Sequence, residues 1–122
     1  MTRFRQISAL SAASLLSILP GASRADFEDD ISDYVGYTII AVKTIDSFKD
    51  NSHERKDGFE GCEYDRVIVF TDGTAVTCRS YGYKYAYRPK AVILGQQMAF
   101  QGRAVTILKM VVQGTAYDVA SR

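Results

Sequence analysis

The stretch Arg66-Val-Ile-Val-Phe-Thr-Asp-Gly-Thr-Ala-Val-Thr-Cys-Arg79 decides the fold class. Two runs rich in β-branched residues flank Asp72-Gly73, and an Asp-Gly pair between such runs predicts a two-residue hairpin turn with positive φ at both positions. With Thr71 opposite Thr74, Val69 faces Val76 and Val67 faces Cys78. One face then carries Val67, Val69, Val76 and Cys78, and the other Ile68, Phe70, Ala75 and Thr77. Both faces are largely apolar, which places the hairpin centrally in a sheet or barrel.

Upstream, Tyr37–Ile45 is dense in β-branched residues and reads as a strand. Asp46 to Gly61 is polar and rich in turn formers, and reads as a long loop. Downstream, Tyr81-Gly-Tyr-Lys-Tyr-Ala-Tyr-Arg88 alternates with period two and predicts a strand that Pro89 interrupts. Ala91 to Leu94 resumes an apolar run, Gly95 to Gly102 reads as a connection, and Arg103 to Val112 as a further strand. Gln113-Gly114 predicts a second hairpin turn, with Thr115 to Val119 returning beside that strand. Asp26 to Tyr34 carries Phe27, Ile31 and Tyr34 at helical spacing and predicts a short helical turn. The expected fold is therefore all-β. It is a small bent meander of five to six antiparallel strands, an SH3-like barrel in shape or an open roll.

The first 25 residues read as an export signal. Arg3 and Arg5 give a positive start, Ile7 to Leu19 is uncharged and apolar, and Pro20-Gly21 breaks it. Ser23 and Ala25 are the small residues expected before a cut at Asp26. Residues 26–122 are then one small β domain, placed in the periplasm or secreted. The leader holds three arginines and no acid, so the remaining 97 residues carry 12 basic and 14 acidic side chains, a net of −2. That sign argues against nucleic acid as partner. No apolar run approaches the ~18 residues of a membrane-spanning helix.

Two cysteines, Cys62 and Cys78, lie in the exported part. An oxidising compartment predicts one disulfide between them. The hairpin register conflicts with this. A straight strand puts Cys62 ~16 Å from the partner of Cys78, whereas bonded Cα atoms lie within ~7 Å. Either residues 60–65 curl back, which Gly58 and Gly61 permit, or the register differs.

Chemistry has few carriers here. His53 is the single histidine, in a polar loop without the paired ligands of a zinc site or the oxygen spacing of a calcium loop. There is no Gly-x-Ser-x-Gly elbow and no Gly-rich phosphate loop. The reading is therefore no enzyme, no cofactor and no metal. The distinctive feature is the tyrosine stripe, Tyr81, Tyr83, Tyr85 and Tyr87. In one reading the rings cover the core while Lys84 and Arg88 face water. In the other they form a recognition surface, with at least one of Tyr83, Tyr85 and Tyr87 exposed beside Arg88, since rigid rings with polar tips bind at low entropic cost. The function expected on the second reading is an exported binding module, with Tyr83, Tyr85, Tyr87 and Arg88 taking an envelope glycan, peptide or exported protein. The alternative is an accessory interaction protein that pairs through a sheet edge.

Overall fold

The structure, a computed structural model, describes residues 22–51 and 54–122. The leader up to residue 21 and His53 lie outside the described residues. Among the described residues, 22–35 and those from Gly36 onward belong to two units.

In the first unit, α1 spans Ala22–Ser32 and continues through the expected cut at residue 26. The Ser32 hydroxyl donates to the Asp29 carbonyl at 2.7 Å, and the Tyr34 N–H to the Ile31 carbonyl at 2.9 Å. Phe27, Ile31 and Val35 are exposed.

The second unit is all-β, as the hairpin pattern predicts. Its strands are β1 (Thr38–Lys49), β2 (Arg55–Asp57), β3 (Val67–Phe70), β4 (Ala75–Cys78), β5 (Lys90–Phe100), β6 (Arg103–Val112) and β7 (Thr115–Ser121). Six of them close antiparallel into a barrel in the order β1-β3-β4-β7-β6-β5, and β2 adds a short extra strand on β1. Closure depends on β1, which outruns its expected end by four residues. Thr38 to Thr44 pair with β5, and Ile45 to Lys49 pair with β3. Irregularities between Ile39 and Ala41 and between Ile45 and Ser47 bend the strand, so it serves both partners. Gly95 to Phe100, expected as a connection, instead prolong β5.

The β3–β4 register is one residue away from the expected one. Val67 pairs with Thr77, Ile68 with Val76 and Val69 with Ala75. The cause is the turn. Thr71, Asp72 and Gly73 form a three-residue loop, closed by N–H bonds from Phe70 to the Thr74 carbonyl (2.8 Å) and from Gly73 to the Phe70 carbonyl (2.9 Å), with only Gly73 at positive φ. Asp72 favours this form because its carboxylate accepts from the Thr74 N–H at 2.9 Å and the Thr74 hydroxyl at 2.6 Å. A one-residue slip exchanges faces on one strand. Ile68 and Phe70 therefore join Val76 and Cys78 in the core, with Ile45, Ala91, Ile93, Met110, Val112 and Val119. Phe59 and Tyr117 complete it, edge to face at 5.7 Å.

Cys62 and Cys78 are bonded, with Cα atoms 5.6 Å apart. Both resolutions of the conflict operate. The register differs, and residues 58–65 curl back through positive φ at Gly58, Gly61 and Asp65. The curl is fastened by the Asp65 N–H on the Cys78 carbonyl (3.0 Å) and the Cys78 N–H on the Arg66 carbonyl (2.8 Å).

Candidate functional site

The segment 81–88 bends at Tyr87 and Arg88 and is not a strand of the barrel. It touches the Phe59–Cys62 backbone at two isolated bridges, Cys62 to Gly82 and Phe59 to Ala86. Each bridge is a reciprocal pair of N–H···O=C bonds of 2.8–3.0 Å. The sequence pattern predicts a strand here. The curl of residues 58–62 leaves two isolated bridges in its place.

Which side faces the core follows from space. A Cβ on Gly61 would overlap the Gly82 carbonyl, and one on Gly82 would lie 2.9 Å from the Tyr117 ring. The floor is already filled by Phe59 and Tyr117, so only Gly82 and Ala86 fit against it. Alternation then sends every tyrosine outward. Tyr81 is 72% exposed, Tyr83 79%, Tyr85 63% and Tyr87 66%. The reading in which the rings cover the core is thereby overturned: the small residues cover it, and the rings face water.

Arg88 stands beside Tyr87 with φ of 49°. Its guanidinium lies 5.6 Å from the centre of that ring and 2.9 Å from the Asp46 carboxylate. The Tyr87 hydroxyl first, and Asp46 after it, hold its proton more tightly than usual. Arg88 is thus paired with Asp46 beside the Tyr87 ring. Lys84 within the segment and Lys90 just after it have no ion pair among the described residues.

Two features escaped the sequence reading. Tyr64 joins Tyr81 at 5.6 Å between ring centres. The curl after Cys62 brings it there, and no periodicity relates the two residues. Tyr81 and Tyr83 also border a shallow cleft of about 290 Å³ with Glu60, Cys62, Glu63 and Gly82. The second feature is charge distribution. From Gly73 to Tyr117 the chain has no acidic residue and six basic ones, so the tyrosine segment lies in a basic stretch of a chain that is acidic elsewhere.

Below this surface Arg66 is buried. It spans Asp50 with two bonds of 2.6 and 3.1 Å, donates to the Gly61 carbonyl at 3.1 Å, and lies 4.5 Å from the centre of the Phe48 ring. It ties the 50–61 connection, and through it the tyrosine segment, to β3. Among the described residues no cluster of His, Cys, Asp and Glu could hold a metal ion, and no helix is long and apolar enough to cross a membrane. Comparison of the chain with protein-family models, curated proteins and solved structures finds no match.

Proposed function

We propose that this protein is a small exported, non-enzymatic binding module that holds an extended envelope glycan against the face of Tyr81, Tyr83, Tyr85 and Tyr87. The observation that carries this is the exposure of all four rings on a segment whose backbone is fastened at Gly82 and Ala86. Scattered apolar residues on a surface need no explanation, but four exposed rings at alternate positions of one segment do. Phenol rings lose little rotamer entropy on binding and offer both a flat face and a hydrogen-bonding tip, which suits successive sugar rings. Export is supported by the disulfide, since such bonds persist in oxidising compartments.

The test uses a chitin oligosaccharide as probe, with intrinsic tyrosine fluorescence as readout, because the chain has no tryptophan. Binding should quench or shift the tyrosine signal. Tyr83→Ala and Tyr85→Ala should each weaken it about tenfold, the loss of one anchoring ring contact. Their melting temperatures should stay near that of the parent, since exposed substitutions usually change stability by about 0.5 kcal/mol or less. A loss of about 3 kcal/mol at these positions would assign the rings to the core instead. Absence of binding to this and to other neutral glycans would remove the glycan reading.

A further inference from the structure

β5 pairs with β1 only as far as Gly95, and β6 pairs with β7 only from Leu108. At this end of the barrel a cavity of about 400 Å³ lies between Ala41, Phe70, Val76, Ile93, Leu108 and Ser121, one residue from each of the six closing strands. It is the mouth of the barrel. Phe70, Val76 and Ile93 belong to the core, and Ala41 and Leu108 pack against it, so the floor is apolar. The space exists because inward positions are small here. Ala41 stands on β1 opposite Ile93, and Gly95 on β5 opposite Leu108. A small barrel with larger side chains at such positions fills its own interior.

One large apolar residue at the mouth is left uncovered. Ile40 is the extra residue of the bulge between Ile39 and Ala41. It turns toward Gly95, where a Cβ would collide with its side chain, and it is still 55% exposed. Charge at the rim has one sign. Lys43 and Arg122 line the cavity, and no acidic side chain does. Lys43 is held by Asp72 at 2.8 Å, whereas Arg122 has no ion pair among the described residues.

We propose that the mouth of the barrel binds a single acyl chain with an anionic head. The tail lies on Phe70, Val76, Ile93 and Leu108 and covers Ile40, and the head stays at the rim beside Arg122. A concave apolar site with a few polar groups at its edge is the usual form of a small-molecule pocket, and barrel mouths are a recurring place for one. The volume is at the small end of that range, which suits one slender chain. Charge selects the head, because cations line the rim and no acidic side chain is there to repel a carboxylate. None of the four stripe tyrosines lines this cavity, so the inference is independent of the glycan reading.

Isothermal titration calorimetry of the exported chain with saturated alkanoates, from hexanoate to tetradecanoate and each below its micellar concentration, tests this. Affinity should rise with chain length by up to about fourfold per methylene, the worth of burying one CH₂, and level off once the tail fills the mouth. Ala41→Phe sets a ring in the cavity and should weaken decanoate binding at least about tenfold, the loss of roughly two buried methylenes. Ile40→Ser alters an exposed residue, so it keeps the test open if Ala41→Phe fails to fold. It should weaken binding several-fold with the melting temperature unchanged. Arg122→Gln should weaken decanoate and leave decanol unaffected, and Tyr83→Ala should alter neither. Absence of binding at every chain length overturns the proposal. So does an affinity that climbs without levelling off, or one that ignores both Ala41→Phe and Ile40→Ser, since each marks unspecific uptake on apolar surface. Equal affinity for decanoate and decanol, unmoved by Arg122→Gln, overturns the anionic head.

Discussion

Tyr117 heads the buried residues by volume, is 1% exposed, and its hydroxyl has no hydrogen-bond partner among the described residues. Its ring is needed, because it supports Gly82 and packs on Phe59. Its oxygen is a cost, since a buried hydroxyl without a partner loses its hydration. Tyr117→Phe should therefore be neutral or stabilising by about 1 kcal/mol in urea unfolding. Burial also raises the Tyr117 pKa above its ordinary value of 10.0. A group raised in the folded state stabilises fully below its unfolded pKa, and that contribution is lost as pH rises through the folded one. The advantage of Tyr117→Phe over the parent should thus grow above about pH 10, and a constant difference across that range would contradict the assignment. Neither the burial of Tyr117 nor the outward direction of the four stripe tyrosines was legible locally. All are tyrosines in β-like sequence, and the space left by Gly61, Gly82 and Phe59 decides between them.

At the scale of elements, the β3–β4 hairpin shows how one polar residue selects a register. Asp72 receives a 2.8 Å bond from Lys43 on β1 as well as the two bonds from Thr74. These hold its carboxyl well below the usual carboxylate range, Lys43 contributing most. The sign follows from linkage. A depressed pKa stabilises the fold above the unfolded value of 3.8, and the contribution is lost as pH falls through the native value. The parent should be more stable than Asp72→Asn at neutral pH, and that gap should close as pH is lowered below about 4. An unchanged gap in acid would show that the carboxylate charge does not matter to the turn. The hairpin itself was legible from Asp72-Gly73 between two β-rich runs. Its loop length was not, because two-residue and three-residue turns both accept Asp followed by Gly, and the Lys43 contact comes from 29 residues away.

For the whole molecule, one measurement addresses processing and covalent closure together. Intact-mass spectrometry of exported, unreduced protein should give the mass of Asp26–Arg122 less two hydrogens. A retained leader would refute the processing, and two free thiols would refute the bond. Reduction should lower stability by about 3 kcal/mol, the entropic estimate for a loop of this length. Sequence alone determined the all-β class, because β-branched runs between turn residues have few other folded solutions. It also determined the cysteine pairing, since a chain with two cysteines has one possible intrachain bond. Tertiary structure decided the rest. The bends that let β1 serve both β5 and β3 close the barrel, and Arg66, which the strand pattern alone leaves as one more hairpin residue, is buried to fasten the 50–61 connection. Which side of the tyrosine segment faces water was settled by volume. A core filled by Phe59 and Tyr117 admits a glycine and an alanine, and leaves the rings outside.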